Sequence, residues 1–265
     1  MAGDLIIIKF GGSLITNKSK LCSPRTEIIE KTCAMVSEII KLGKKVIIVH
    51  GAGSFGHIKA KKWKIFEGMD SNIKNQLEGV HEVREDMKIL NNLIVSMLNN
   101  YSIDAKSYPP HQYGGGEGMD YKFSKDIDEF INSNIIPVVY GDVVETYTEK
   151  GFGILSGDDI CEILTNRYKP KHVIFAIDGA EGIIDNPNDV EGGNLIEKYV
   201  VGTEVVMNKV ENDVTGGMEL KIMRATNCFK MGSRVSIING NNPQMIMNAI
   251  LGKGYTGTEF VKNKD

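Results

Sequence analysis

Three lysines and one histidine sit beside glycine-rich turns in this chain, and that pairing of residue types points to anion chemistry. Lys9 lies at the end of a short apolar run, Leu5 to Phe10, just before Gly11, Gly12 and Ser13. Lys18 follows the same turn, and Lys221 falls one helical turn beyond Thr215, Gly216 and Gly217. His57 closes the turn Gly51-Ala52-Gly53-Ser54-Phe55-Gly56. Two further glycine turns are Ser156-Gly157-Asp158 and the segment from Asp178 to Gly182. Glycine lets a backbone approach a bound anion, and helix N-termini aim N–H groups at it. Phosphoryl transfer is carried largely by positioned cations and N–H donors around the moving group. A lysine inside an apolar strand, as at Lys9, is costly unless it is paired or used.

These turns need a scaffold that brings them together, and the chain alternates accordingly. Strands are predicted at Leu5 to Phe10, Lys45 to His50, Ile103 to Tyr108, Ile135 to Tyr140, His172 to Ile177 and Val235 to Ile238. Between them fall predicted helices: one capped by Ser23 with Pro24 first and Gly43 beyond its end, then Leu77 to Asn100, Ser124 to Asn132, Asp158 to Tyr168, Gly217 to Met231 and Pro243 to Leu251. Alternation of this kind makes a mostly parallel sheet with helices on both faces, and ligands gather at the carboxyl ends of its strands. Val143 to Ile154 breaks the rhythm and reads as a hairpin on the sheet edge. Tyr113 to Tyr121 and Asp185 to Asn194 read as surface loops that could serve as lids.

Composition narrows the classes. With 42% hydrophobic and 25% charged residues and only 7 prolines among 265, the chain is globular. Its 31 basic and 34 acidic residues give a net charge of −3, which offers no basic footprint for nucleic acid. Cys22, Cys33, Cys161 and Cys228 form no CxxC pair, and with no spanning or signal-like segment at the N-terminus the expectation is a cytoplasmic protein with free thiols and no membrane contact. Glycine is the outlier at 29 residues, about ten above an average chain. Gly51 to Gly56 fits GxGxxG, but it follows the second strand and lacks the downstream acid of a dinucleotide site, and no Walker A lysine occurs. His50 reads as structural, while His81, His111 and His172 have no metal-ligand spacing, so no protein-held metal is expected.

Ile-Lys-Phe-Gly-Gly-Ser at 8–13, His-Gly-Ala-Gly-Ser-Phe-Gly-His at 50–57, Val-Tyr-Gly-Asp-Val-Val at 139–144, Ser-Gly-Asp at 156–158 and Asp-Val-Thr-Gly-Gly-Met at 213–218 resemble the amino acid kinase superfamily. Within it the chain most resembles the archaeal-type isopentenyl phosphate kinase branch. The resemblance implies a three-layer α/β/α sandwich with a mostly parallel central sheet. It implies an N-terminal lobe, 1–160, that binds the phosphate acceptor, and a C-terminal lobe, 161–265, that binds ATP. It further implies a homodimer, ATP with Mg2+, and a place in isoprenoid biosynthesis by way of mevalonate.

Residue by residue, the resemblance puts Lys9, Gly11, Gly12 and Ser13 around the ATP phosphates and Lys18 and Lys221 on the transferred group. Ala52, Gly53 and His57 would meet the acceptor phosphate, and Gly157 would close that site. Asp158 would orient the lysines, Asp178 and Gly182 would contact nucleotide, and Gly216 would lie near its phosphates. The family often reads Asp-Val-Asp-Gly-Val-Tyr where this chain has Ile177-Asp178-Gly179-Ala180-Glu181-Gly182-Ile183-Ile184, which leaves the base preference open.

His57 discriminates between acceptors on chemical grounds. An alcohol needs a general base, whereas a phosphate monoester is already an anionic nucleophile near neutral pH and needs a donor to offset its charge. An imidazole can supply that proton. An apolar stripe of Val80, Val83, Met87, Leu90, Ile94 and Met97 along the Leu77 to Asn100 helix could form core or line a slot for an isoprenoid tail. The competing readings are a fosfomycin-type phosphonate kinase, a catalytically silent nucleotide sensor or storage protein, and a dinucleotide-dependent oxidoreductase.

Overall fold

The computed structural model describes residues 4–186, 193–203 and 217–263. In chain order the strands are β1 (Leu5–Phe10), β2 (Lys45–His50), β3 (Ala105–Ser107), β4 (Gly114–Gly115), β5 (Lys122–Phe123), β6 (Ile136–Tyr140), β7 (Asp142–Glu145), β8 (Phe152–Leu155), β9 (His172–Ile177), β10 (Lys198–Val200), β11 (Arg234–Asn239) and β12 (Thr258–Val261). The helices are α1 (Gly12–Ile15), α2 (Thr26–Lys41), α3 (His57–Lys62), α4 (Gln76–Asn100), α5 (Pro110–Tyr113), α6 (Gly157–Tyr168), α7 (Gly217–Lys230) and α8 (Pro243–Ile250).

Eight strands form one sheet in the order β10-β12-β11-β9-β1-β2-β6-β3. Six of them, from β11 to β3, run parallel, while β12 pairs antiparallel with β11 and carries β10 beside it. β1 is fully buried at the centre, because both faces of a parallel sheet are covered by helices. Its side chains alternate between two cores. Ile6, Ile8 and Phe10 pack with residues of α2, α4 and α8, whereas Ile7 packs with residues of α6 and α7. The three layers expected from the sequence are therefore present.

Several elements differ from expectation. β10 and β12 are short and lie at the sheet margin, so neither left a clear apolar run. The Val143 to Ile154 hairpin exists as β7 and β8, but it forms its own two-stranded sheet rather than extending the edge of the large one. Lys125–Asn132 is a 3-10 helix, not an α-helix. α2 starts at Thr26, with Arg25 at its N-cap and no side-chain cap, so Ser23 does not cap it. The reason is that this stretch is held by the preceding loop: Thr16 bridges Pro24, Asn17 N donates to Ser23 O at 2.8 Å, and Arg25 N donates to Ile15 O at 2.8 Å.

The Tyr113 to Tyr121 loop is ordered by the β4–β5 ladder and is tied to β7 through Gly116 N donating to Glu145 O at 2.8 Å. The other loop continues into 187–192, outside the described residues. Cys33, Cys161 and Cys228 are buried free thiols on α2, α6 and α7, and burial pushes the Cys33 and Cys228 thiols up to about 12. No described helix is long and apolar enough to cross a membrane.

Candidate active site

Glycines end four of the strands and extend their ladders. Gly11 N donates to Ala176 O at 2.8 Å, Gly51 N to Phe10 O at 2.9 Å, Gly141 N to His50 O at 3.0 Å and Gly240 N to Ile177 O at 2.8 Å. Beyond the strand ends opens a cavity of about 850 Å3. The turn after β1 and the turn after β2 lie against each other over its floor. A Cβ on Gly12 would stand 2.8 Å from Gly53 Cα, and one on Gly53, whose φ is +50, would stand 2.5 Å from Gly12 O and collide with Thr16 Oγ1. These glycines thus serve backbone-to-backbone packing as well as access for a ligand.

Asp158 organises the cationic end. It is the second residue of α6, which Ser156 opens with a capping box: Asp159 N donates to Ser156 Oγ at 3.0 Å and Ser156 N to Asp159 Oδ2 at 3.2 Å. Lys9 follows the face of β1 that points to α6, and its Nζ donates to Asp158 Oδ1 at 2.9 Å. On α7, Lys221, Arg224 and Asn227 recur every third residue and face α6. Lys221 Nζ donates to both Asp158 oxygens at 3.1 Å, Arg224 Nε to Asp159 Oδ1 at 2.8 Å, and Asn227 Nδ2 to Glu162 Oε1 at 3.0 Å. The α6–α7 contact therefore aims Lys221 at the cavity.

Lys9, Asp158 and Lys221 are all buried. Burial alone would raise the Asp158 pKa, but the charges of Lys221 and Lys9 outweigh it and hold the carboxyl down at about 2. Burial works against the Lys9 ammonium too, and there the Asp158 carboxylate wins and raises its pKa. Lys221 goes the other way: burial, with the Lys9 charge beside it, lowers it to about 8 in spite of Asp158. Two cations on one carboxylate leave an excess positive charge facing the cavity, which is what a polyphosphate requires.

The other end is mixed. His57, the first residue of α3, lines the cavity, as do Ala52, Gly53 and Gly157. Val83 and Met87 of α4 and Val143, Ile154 and Leu155 of the hairpin form an apolar wall. The α4 stripe is thus mostly core, as Leu90 and Ile94 are, and two of its buried members, Val83 and Met87, border the cavity. Asp142 also borders the cavity and is buried, accepting from His111 N at 3.0 Å and pairing with His111 Nδ1 at 2.7 Å. His50 lies underneath: its Nδ1 donates to Gly51 O at 3.1 Å, its ring stacks on Tyr140 at 5.2 Å, and burial lowers its pKa to about 4. It is a neutral structural residue.

Lys9, Gly11, Gly12, Ser13, Lys18, Ala52, Gly53, His57, Gly157, Asp158, Asp178 and Lys221 all line the one cavity. Gly182 is the exception among the expected residues. It packs on β12, where an added Cβ would stand 2.5 Å from Thr258 Oγ1 and 2.8 Å from Leu195 Cδ1, and it does not border the cavity. Gly216 lies outside the described residues. Sequence reading missed Arg25, which pairs with Asp178 at 2.8 Å, and the Asp142–His111 pair. An arginine ahead of a helix carries no signal of that kind, and the sequence separation of 31 from His111 to Asp142 hides the second pair.

A cavity at the carboxyl ends of a parallel sheet, with buried lysines on a shared carboxylate, suits phosphoryl transfer. The chain belongs to the amino acid kinase family, whose model matches residues 4–239. Among its relatives, isopentenyl phosphate kinase of Methanocaldococcus jannaschii is 32% identical over 97% of this chain and 98% of that protein. The isopentenyl phosphate kinase of Thermoplasma acidophilum is 32% identical over 91% of this chain and 94% of its own length. A crystal structure of the Thermoplasma acidophilum enzyme, described as a product complex, superposes with a TM-score of 0.81 at 27% identity, covering 97% of this chain and 100% of that one.

Proposed function

We propose that the enzyme transfers the γ-phosphoryl group of ATP to isopentenyl phosphate, giving isopentenyl diphosphate and ADP. The observation that carries this reading is the juxtaposition, in one cavity, of a cationic end built on Asp158 with an apolar wall of Val83, Met87, Val143, Ile154 and Leu155. A phosphate monoester with a short hydrocarbon tail matches both ends. A small polar phosphonate, as in a fosfomycin-type kinase, would leave the apolar wall unused.

An acceptor phosphate oxygen attacks the γ-phosphorus in line, and the bond to the β-phosphate oxygen breaks with ADP as leaving group. Lys9 and Lys221 offset charge on the transferring group, and Asp158 fixes their direction. Lys18 approaches the same group from the loop after α1. His57 donates to the acceptor phosphate and offsets its charge as it nears the nucleotide. Gly11, Gly12 and Ser13 border the nucleotide phosphates, and Ala52, Gly53 and Gly157 border the acceptor.

The acceptor side is built from residues of the 1–160 lobe, and the 161–265 lobe supplies Asp178, Gly217 and Lys221 toward the nucleotide. Asp158, Asp142 and Asp178 are each already engaged by a cationic or histidine side chain. This donor set suits Mg2+ carried by phosphate oxygens and water, where it would offset phosphate charge, rather than by a protein cage. A homodimer and a cytoplasmic site of action complete the reading on the family resemblance.

The test is ADP release with Mg-ATP and a panel of isopentenyl phosphate, dimethylallyl phosphate, fosfomycin, acetylglutamate and carbamate. Turnover should be fastest with the isoprenoid phosphates. Turnover confined to the carboxylate acceptors would overturn the reading, and absence of turnover with every acceptor would favour a silent nucleotide-binding protein.

A further inference from the structure

Lys18 differs from the other two lysines of the site. It is exposed, and among the described residues it has no ion pair of its own, whereas Lys9 and Lys221 are anchored on Asp158. Its position therefore depends on the loop that carries it. That loop is a closed excursion: Ile15 to Asn17 run alongside Ser23 to Arg25, and Asn17 Oδ1 accepts from Ser19 N at 3.1 Å across the tip. At its base stands Arg25. One arm of the guanidinium, Nη1, donates to Ser13 O at 3.3 Å and to Asp178 Oδ1 at 2.8 Å. The other, Nη2, donates to Asn241 Oδ1 at 2.8 Å, and Asn241 Nδ2 closes the ring on Asp178 Oδ1 at 2.7 Å.

We infer that Arg25 is a positioning residue that fastens the Lys18 loop to the ends of β9 and β11, and so sets where the Lys18 ammonium meets the transferring phosphoryl group. The inference rests on the role given to Lys18 under Proposed function. Two physical points separate it from a plain surface ion pair. The Arg25 and Asp178 side chains are about one-third exposed, at 32% and 31%, so the pair contributes little to overall stability. The three acceptors also come from three separate parts of the chain, and only a planar fork can reach them at once. Misplacing a catalytic group by about 1 Å can cost up to roughly a hundredfold in rate.

The experiment is a double-mutant cycle on kcat with Mg-ATP and isopentenyl phosphate, using R25A, K18A and the double variant, with the melting temperature of each. R25A should lower kcat by roughly ten- to a hundredfold with little change in melting temperature, and the double variant should match K18A to within about twofold. R25K should restore only part of the loss, because an ammonium cannot hold all three acceptors. Losses that multiply in the double variant, or wild-type kcat in R25A, would overturn the inference. Wild-type kcat in K18A would remove the role given to Lys18, and the inference with it, so the two failures are distinguishable. Should R25A not fold, R25K and N241A enter the same cycle with the same criteria.

Discussion

Lys221 and Asp158 meet through both carboxylate oxygens, at 3.1 Å each, across the contact between α7 and α6. The pair is buried and shares its carboxylate with Lys9, so the charge of Lys221 depends on an arrangement of three groups rather than on a single bridge. With its pKa lowered to about 8, Lys221 is charged below that pH and loses its proton above it. The kcat/KM profile, which reports groups of the free enzyme, should fall as pH rises through about 8. In Asp158→Asn the attraction that supports the Lys221 charge is gone, so the alkaline limb should move to lower pH and kcat at neutral pH should drop by roughly 10²-fold or more. A kcat/KM profile that stays flat to pH 10 would show that Lys221 keeps its proton there or need not be charged.

His57→Ala should lower kcat by roughly 10²-fold while leaving ATP binding nearly unchanged, as loss of a donor to the acceptor does. Steady-state kinetics with a separate titration of nucleotide binding make the comparison. Undiminished turnover would reduce His57 to a residue that merely starts α3.

Gly53→Ala should destabilise by roughly 2–3 kcal/mol, because it combines a positive φ with contact against Gly12 O and Thr16. Gly43, with φ +74 and no atom within 4 Å of an added Cβ, is the control, and Gly43→Ala should cost about 1 kcal/mol. Urea unfolding of the two variants measures the difference. Equal losses would mean that the contact between the two turns adds nothing to the backbone term.

Acid should weaken the fold through two buried histidines. Burial lowers His50 to about 4 and, with the Arg234 charge, lowers His172 to about 3. Both bind protons more readily when unfolded, where the pKa is near 6.5, so stability is full above about pH 6.5 and declines as pH falls toward 4 and then 3. His172 Nε2 lies 2.9 Å from Ser236 Oγ, and His172→Gln should flatten the decline below pH 6. Chemical denaturation at stepped pH follows the effect, and an unchanged slope would assign the acid sensitivity elsewhere.

Much of this site was legible in the chain itself. β1, β2, β6, β9 and β11 are apolar runs ending in or near glycine, and local periodicity with the family motifs placed Lys9 and His57 beside the ends of β1 and β2, Asp158 in the first turn of α6 and Lys221 one turn into α7. That five-membered pattern survives because helix caps, strand runs and turns are local properties, and each can be read from a few neighbouring residues. The direction of a side chain along β1 was also implicit, since alternate residues of a strand face opposite layers.

Tertiary structure decided what depends on distance along the chain. Gly12 and Gly53 lie opposite one another only because β1 and β2 are adjacent, and that proximity sets a steric demand stronger than either turn shows alone. Ser23 lost its role as a helix cap because the strand-like clasp to Ile15–Asn17 holds the backbone there. Gly182 left the cavity because β12, which the sequence did not reveal, packs against it. Arg25 gained a role because Asp178 and Asn241, 153 and 216 residues away, converge on it. The sequence by itself determined which chemistry the chain carries, through residue type and local geometry. Only the packed sheet decided which charges pair and which remain available to a phosphate, because burial and neutralisation are set by neighbours that the chain brings from far along its length.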